Sequence, residues 1–264
     1  MIWQTAYQSA EGRVSWRGAL AQDGQALDAF LQGPVAARLN DDEGGEALSE
    51  HLHGLSLTGM GQDALEEVLA AEVPEMRDWA AGEALADAVL ESEHDVVLPW
   101  NNERDKRNPF ASLPGADIVG FQRDGESHRL ALGEVKCSSE AKSPPQVMSG
   151  RSGRSGMLYQ LDQLAHNLGK IFQLLLWLLP RVKNTKYEAA FDVACTRYFN
   201  SGHRELVLFG ILVRDQVARE SDLQARGRQL ASHLQSPTHC CLIALYLPWS
   251  IAQLPQAIGQ GGEA

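Results

Sequence analysis

The sequence predicts an α/β protein with a mixed central sheet flanked by helices, and three observations predict this class. Near-continuous apolar runs of strand length occupy residues 206–213 and 240–247, as in strands that are buried on both faces. Apolar residues with helical spacing occur before and between these runs. A turn signal at Asp124-Gly125 joins two further strand-like segments. Helices and strands that alternate along one chain indicate a sheet covered by helices.

The N-terminal part of the chain differs from the rest. It alternates short apolar stretches with Gly, Asp and Glu, as in Asn40-Asp41-Asp42-Glu43-Gly44-Gly45, and such segments are typical of turns and loops. We therefore predict a small acidic N-terminal region at residues 1–73, which we expect to face a partner. The α/β domain is predicted at residues 74–264.

The elements of the α/β domain follow in order. Pro74 precedes a predicted helix at about 75–92, because proline is favoured in the first turn of a helix. A short strand is expected at 96–98, and the hairpin around Asp124-Gly125 comes next. After the hairpin, the expected elements are a helix ended by Pro180, a buried strand, an amphipathic helix and a final buried strand, at 157–179, 206–213, 218–234 and 240–247.

Charge is distributed unevenly along the chain, whose formal net charge is −11. Residues 1–100 contain 4 basic and 19 acidic side chains, whereas residues 101–190 contain 13 basic and 9 acidic ones. Phosphate contacts of nucleic-acid-binding proteins depend on Lys and Arg. The acidic first hundred residues would therefore repel DNA or meet a basic partner, and only the segment 101–190 has the charge expected of a DNA-binding surface.

The chain has no sequence signal for a membrane or for secretion. No apolar run reaches the length of a membrane span, and the N-terminus lacks the basic-then-apolar pattern of a secretory signal. The four cysteines form no Cys-x-x-Cys pair. We therefore expect a soluble, cytoplasmic protein with reduced thiols, rather than disulfides or a zinc site.

Two short motifs flank the predicted hairpin. The first is Pro114-Gly115-Ala116-Asp117, and the second is Glu134-Val135-Lys136. Side chains alternate along a strand, so Glu134 and Lys136 share one face of the sheet. A turn centred near Asp124 and Gly125 would place Asp117 opposite Leu132. A change of one residue in this register would move Asp117 to the other face.

These residue types suit the hydrolysis of a phosphodiester. The attacked phosphate gains negative charge, which a divalent cation held by Asp117 and Glu134 would neutralise while it acidifies the attacking water. Carboxylates and a main-chain carbonyl such as that of Val135 are hard oxygen ligands, which favour Mg²⁺ or Mn²⁺. Lys136 would orient the water or stabilise the pentavalent phosphate. The motifs therefore predict catalytic roles for Asp117, Glu134 and Lys136.

At these residues the chain resembles the PD-(D/E)xK nuclease superfamily. Pro114 to Asp117 matches the first half of its motif, and Glu134-Val135-Lys136 matches the second half. By the order of elements, the resemblance covers about residues 75–250. It implies a restriction-endonuclease-like core with the order αβββαβ and a Mg²⁺-dependent or Mn²⁺-dependent nuclease activity on DNA.

The resemblance also implies roles for three further residues. Many members of the superfamily have an acidic residue in the first helix as an additional metal ligand, and Glu83 matches it. RecB-like members use a glutamine near the site, early in the helix that follows the second motif. Here Gln160 and Gln163 are the two candidates for it.

Within the superfamily, three stretches are similar to the nuclease subunit of Hachiman-type antiphage systems. They are Gly82-Glu83, Gly115-Ala116-Asp117-Ile118-Val119-Gly120 and Leu132-Gly133-Glu134-Val135-Lys136. That family acts beside a superfamily 2 helicase. The similarity implies an antiviral defence function and a helicase-like partner. This partner would supply part of the DNA-binding affinity, which would explain why the first third of the chain is acidic.

One alternative of a different class stays open. The chain would then be a catalytically silent subunit with a nuclease fold, which binds nucleic acid or a protein partner and uses Asp117 and Glu134 in structural ion pairs. The complete set of Asp117, Glu134 and Lys136 favours the nuclease, because unpaired charge on an interior face is costly. Endonucleolytic or exonucleolytic cutting, RNA as a substrate and the oligomeric state are open at this point.

Overall fold

A computed structural model describes residues 2–55, 57–70, 78–105, 115–150 and 155–259 of the chain. Within these ranges, seven strands form one sheet with the spatial order β1-β2-β7-β6-β5-β4-β3. The strands are β1 (Trp3–Glu11), β2 (Val14–Ala21), β3 (Val96–Val97), β4 (Ile118–Asp124), β5 (Ser127–Ser138), β6 (Leu206–Arg214) and β7 (His239–Tyr246).

The sheet is mixed, as predicted. The pairs β2–β7, β7–β6 and β6–β5 are parallel, whereas the pair β1–β2 at one edge and the pairs β5–β4 and β4–β3 at the other edge are antiparallel. Every residue of β6 is buried, which is expected of a central strand with parallel neighbours and helices on both faces.

Helices cover both faces of the sheet. In chain order they are α1 (Gln25–Phe30), α2 (Ala36–Asn40), α3 (Asp42–His53), α4 (Gly59–Ala70), α5 (Asp78–Glu93), α6 (Met157–His166), α7 (Leu168–Val182), α8 (Glu188–Asn200), α9 (Gln224–Ala231) and α10 (Leu254–Gly259). Helices α1, α5 and α10 pack on one face, with Leu85 of α5 fully buried. Helices α6 to α9 pack on the other face, with Leu161 of α6 fully buried.

Several local predictions are confirmed. The hairpin joins β4 to β5 through Gly125, whose φ is 62°, a backbone conformation that glycine adopts without strain. The two apolar runs form β6 and β7, and the predicted strand at 96–98 corresponds to β3. The predicted helix at 75–92 corresponds to α5, although residues 75–77 lie outside the described ranges.

The helical predictions after the hairpin need correction. The single helix predicted over 157–179 is two helices, α6 and α7, because Asn167 leaves the helical conformation and its side chain caps the amide of Lys170. Pro180 lies inside α7 rather than at its end. The helix predicted over 218–234 is confined to α9 and a preceding 3₁₀ turn at Glu220–Asp222. Helix α8 has no counterpart among the predicted elements.

The predicted boundary near residue 73 does not coincide with a break in the sheet. Strands β1 and β2 lie within residues 1–73, and β2 pairs with β7 over seven positions, from Val14 opposite Cys240 to Leu20 opposite Tyr246. The first strands of the chain thus extend the sheet of the predicted α/β domain. Across the described ranges, every helix falls short of the length and apolar content that a bilayer-spanning segment needs.

Candidate active site

The two predicted motifs meet at one end of the β4–β5 hairpin. Ile118 pairs with Gly133 and Val119 pairs with Leu132, and the main-chain N–H of Asp117 also donates to the Gly133 oxygen. The expectation that Asp117 faces Leu132 was wrong, because the turn is centred on Gly125 and Glu126. The ammonium group of Lys136 lies within contact distance of both Asp117 and Glu134. These two carboxylates therefore share a face.

That face is the one covered by α6, α7 and α8. Val119 and Leu132 belong to the apolar cluster of this layer, and side chains at alternate positions point in the same direction. Glu134 and Lys136 follow Leu132 at this spacing, and Asp117 precedes Val119. The hairpin therefore projects two carboxylates and one ammonium group toward the same layer of helices.

The three side chains lie within contact distance of one another. Lys136 Nζ is 3.0 Å from Glu134 Oε2 and 3.6 Å from Asp117 Oδ2. The Asp117 side chain also accepts a hydrogen bond of 2.8 Å from the main-chain N–H of Val135. Glu134 is 1% exposed, whereas Lys136 and Asp117 are 22% and 25% exposed. One carboxylate is thus buried, and the other two groups open to solvent.

Electrostatics favour a proton on Glu134 when only these groups are present. Burial raises the pKa of the Glu134 carboxyl to about 8, and the neighbouring Asp117 carboxylate adds to this rise. Burial lowers the pKa of Lys136, but Asp117 and Glu134 outweigh it, so that the net shift is upward. Two carboxylates share one ammonium group here, so additional positive charge would stabilise the ionised form of both carboxylates.

The glycine that precedes the second motif has a packing role. A Cβ on Gly133 would lie 2.2 Å from the main-chain oxygen of Phe209, so β5 and β6 approach one another more closely than any side chain would allow. Gly133 precedes Glu134, and this close approach fixes the strand that presents the carboxylate. The glycine therefore contributes to position rather than to chemistry.

Asn102 positions the first motif from outside it. This residue lies in a 3₁₀ turn, Asn102–Arg104, and its side-chain amide donates a hydrogen bond of 2.8 Å to the main-chain oxygen of Asp117. The main-chain N–H of Asp117 donates to the oxygen of Gly133 at 3.0 Å. Asp117 is therefore held on both sides of its Cα, although it precedes the first residue of β4. Sequence analysis did not identify Asn102.

Lys170 is a second residue at the site that sequence analysis missed. It is the third residue of α7, and its side chain packs against Gly115. Burial lowers the pKa of Lys170, Glu134 and Asp117 oppose this shift, and Lys136 adds to it. All three motif residues thus act electrostatically on Lys170. The local signal for its position was Asn167, an N-cap residue type at the start of α7.

Glu83 lies on the other side of the sheet. Its helix, α5, packs in the opposite layer, where Gly82 approaches the thiol of Cys137. Glu83 lines a narrow cleft together with Asp87 and Asn102, and the Asn102 side chain donates to the main-chain oxygen of Asp117. Its predicted role as a further metal ligand stays a prediction.

The two candidate glutamines differ in position. Gln160 lies on the stripe of α6 that also contains the buried Met157, Leu161 and Leu164. Its Oε1 is buried and, among the described residues, has no hydrogen-bond partner. Gln163 accepts a hydrogen bond of 3.0 Å from the side chain of Asn167. The placement therefore favours Gln160 over Gln163 as a residue that faces the sheet.

The available oxygen donors are two carboxylates and a main-chain carbonyl. In a strand, the N–H and C=O of one residue point to the same edge, and the Val135 N–H points to Asp117. The Val135 carbonyl therefore faces the same edge. In the described part of the chain, no set of three or more His, Cys, Asp or Glu side chains has metal-binding geometry. Pro114 lies outside the described residues.

Comparisons with known proteins assign no family to this chain. No protein-family model matches it, and no curated protein matches it significantly.

Proposed function

We propose that this chain is a metal-dependent nuclease that hydrolyses phosphodiester bonds of DNA in the cytoplasm. The observation that carries the proposal is the convergence of Asp117, Glu134 and Lys136 on one face of the β4–β5 hairpin, with the ammonium group 3.0 and 3.6 Å from the two carboxylates. A buried carboxylate beside a second one is costly. Such an arrangement is expected where a cation from outside completes the site.

The order of elements supports membership of the PD-(D/E)xK superfamily. From residue 78 onward the chain has one helix (α5), three strands (β3, β4 and β5), a helical segment (α6 to α8) and a strand (β6). This is the order αβββαβ that the resemblance implies, with three helices in place of the second one. Asp117 precedes the second of the three strands, and Glu134 and Lys136 lie in the third.

The residues present fit Mg²⁺ or Mn²⁺. Magnesium prefers hard oxygen donors, and it commonly binds proteins through one or two carboxylates together with water and substrate phosphate. Asp117, Glu134 and the carbonyl of Val135 would hold it. When bound, the cation neutralises charge that develops on the attacked phosphate and acidifies its water.

The chain's own residues have distinct tasks in this proposal. Glu134 would release its proton to solvent when it acts as a ligand, and the ammonium group of Lys136 would stabilise the resulting carboxylate. Lys136 also faces solvent, where it orients the attacking water or stabilises the pentavalent phosphate. Asp117 is kept in place by the N–H of Val135 and by Asn102, so that its carboxylate needs little reorganisation on binding.

A helicase-like protein partner in an antiphage defence system is the second part of the proposal. Helices α3 and α4 have no buried residue, and residues 42–70 contain seven acidic side chains and no Lys or Arg. Leu48, Met60 and Val68 are exposed on them. Helices of this length depend on packing for stability. An acidic surface with exposed apolar side chains supports a partner with a basic face.

A cleavage assay tests the proposal. Plasmid and linear DNA are incubated with the chain, alone and with a co-expressed helicase partner, in Mg²⁺, Mn²⁺ or EDTA. We expect cutting that requires metal and that falls at least about 100-fold in Glu134→Gln and Lys136→Met, because each removes charge stabilisation at the reacting phosphate. Glu126→Gln, in the exposed hairpin turn, and Lys183→Met, at the end of α7, are the matched controls.

Equal cutting by wild type and both site variants would contradict the assignment of the site. Absence of cutting under every condition, together with absence of metal binding by calorimetry, would favour the alternative of a catalytically silent nuclease-fold subunit.

A further inference from the structure

A fourth charged side chain lies beside the three motif residues, in a different element. Lys170 belongs to α7, far along the chain from Lys136, and it reaches the site because α7 starts next to Gly115. A Cβ at position 115 would lie 2.7 Å from Lys170 Cε, which is closer than real Cβ contacts allow. Gly115 also has a φ of 91°, a conformation that side chains disfavour. Gly115 therefore provides the space for the Lys170 side chain.

Within the described residues, Lys170 forms no ion pair. Among the described residues, no carboxylate lies within 4.0 Å of its ammonium group, whereas Lys136 pairs with Asp117 and Glu134. Burial lowers the pKa of Lys170, and the charges of Glu134 and Asp117 oppose this shift. Lys170 therefore interacts electrostatically with the two carboxylates without an ion-pair contact. Lys170 thus adds positive charge to the cluster that no recorded partner neutralises.

The start of α7 adds to this local positive potential. Asn167 caps the helix by accepting a hydrogen bond of 3.1 Å from the Lys170 main-chain N–H. The N-terminus of a helix has a partial positive charge, and residues 167–169 are exposed. An anion that approaches Asp117 from the side of α7 would therefore meet an ammonium group at the first turn of a helix.

We propose that Lys170 binds a phosphate of the DNA substrate on the α7 side of the site, as a substrate-binding residue in addition to the motif residues. The proposal rests on the proposed nuclease function and names how the chain itself holds its substrate. A lysine in this position suits phosphate, because an ammonium group is a compact point charge on a flexible stem.

Two other roles for Lys170 predict different behaviour. If its aliphatic stem only packs against Gly115, replacement by methionine would preserve that packing and leave DNA binding unchanged. If the ammonium group acts only on the reacting atoms, its loss would lower kcat at constant affinity for DNA. A phosphate-binding role lowers affinity and also changes its dependence on salt.

The salt dependence of DNA binding separates these roles. Affinity for a short duplex is measured by fluorescence anisotropy at several salt concentrations in Ca²⁺, in wild type, Lys170→Met, Lys170→Arg and the control Lys183→Met. Each phosphate contact contributes about 0.9 to the slope of log affinity against log salt. We expect Lys170→Met to weaken binding about tenfold at low salt and to reduce the slope by about 0.9. Lys170→Arg and Lys183→Met should retain the wild-type slope.

The outcomes distinguish this inference from the proposed function. An unchanged slope in correctly folded Lys170→Met, with wild-type protein that cuts DNA, would overturn the role of Lys170 alone. A slope reduced by Lys170→Met in a wild-type protein that binds but never cuts would support Lys170 and overturn the nuclease. A wild-type chain that neither cuts nor binds DNA would overturn both. Circular dichroism and thermal melting verify that Lys170→Met is folded.

Discussion

Two clusters of buried charge lie on the sheet, and they are built differently. Around Arg214, one base meets one acid: its Nε is 3.4 Å from Asp222 Oδ2, and both side chains are at most 1% exposed. At the candidate site, two acids meet one base, and that base is partly open to solvent. The first cluster balances its charge internally, whereas the second does not.

Hydrogen bonds to uncharged groups extend the Arg214 cluster. Its guanidinium donates to the main-chain oxygens of Ser138 and Lys142 at 3.3 and 3.2 Å. Asp222 Oδ2 accepts 2.8 Å from the hydroxyl of Tyr246, which contacts Tyr7 at 2.8 Å. These bonds join β1, β7 and the end of β5. A cluster with equal numbers of acids and bases stabilises the fold. A cluster with more acids than bases supports a binding site for an external cation.

The two clusters also share a strand. Ser138, the last residue of β5, lies two positions beyond Lys136, and it pairs with Arg214 in the parallel ladder. The Arg214 cluster therefore anchors the end of the strand that presents Glu134 and Lys136. Substitutions in the two clusters should have effects of different kinds, and this difference can be tested.

The largest effect on stability is expected from Asp222→Ala. It leaves the Arg214 charge buried without its acid and removes one of the acceptors of the Tyr246 hydroxyl, so we expect the free energy of unfolding to fall by about 3–5 kcal/mol. Urea denaturation measures this fall. The double variant Arg214→Met with Asp222→Asn is the control, since it removes both charges and should cost less. A loss below about 1 kcal/mol in Asp222→Ala would contradict a structural role for the pair.

The buried carboxylate at the candidate site predicts that the stability of the protein depends on pH. In the absence of metal, folded Glu134 retains its proton up to about pH 8, whereas its ordinary pKa is 4.5. The folded state binds more protons between these values, so the contribution of Glu134 to stability falls as pH rises through this window. We expect an effect on the order of a few kcal/mol, since a tenfold difference in proton affinity corresponds to about 1.4 kcal/mol.

Comparison of wild type with Glu134→Gln isolates this effect. The difference between their unfolding free energies should change between pH 5 and pH 8.5 and should be constant for the exposed control Glu126→Gln. Mg²⁺ should stabilise the wild type more at pH 8.5 than at pH 6, because the metal displaces a proton below pH 8. A pH-independent difference would show that Glu134 is ionised throughout, as in a balanced ion pair.

Local pattern was sufficient for part of the site. The turn at Gly125 and the alternation of side chains predicted that Glu134 and Lys136 share a face, and the register error of two residues within the hairpin does not alter this. The three charged residues also lie close together in sequence, at the open end of one hairpin. Their proximity could be predicted without information about the rest of the chain.

Long-range pairing explains what was missed. Lys170 reaches the site only because the chain breaks at Asn167, and a single asparagine in an apolar segment gave too weak a signal to divide the predicted helix. Arg214 lies just beyond the apolar run 206–213, and nothing near it in sequence indicates Asp222 or Tyr246. The pairing of β2 with β7 joins residues from opposite ends of the chain, which local patterns do not specify.

The smallest predicted effects concern two adjacent asparagines, each of which donates a side-chain hydrogen bond to a main-chain oxygen. Asn102 donates to the main-chain oxygen of Asp117 at 2.8 Å, and Asn101 donates to that of Arg38 at 2.6 Å. Each bond contributes about 1 kcal/mol to stability, and Asn101 also accepts a hydrogen bond of 3.0 Å from the Glu103 N–H, so Asn101→Ala should be destabilised at least as much as Asn102→Ala. Only Asn102→Ala should also lower kcat, by several-fold, because it releases a residue that orients Asp117. Steady-state kinetics at a temperature where both variants are folded measure this, and equal kcat values would show that the Asp117 backbone is held without Asn102.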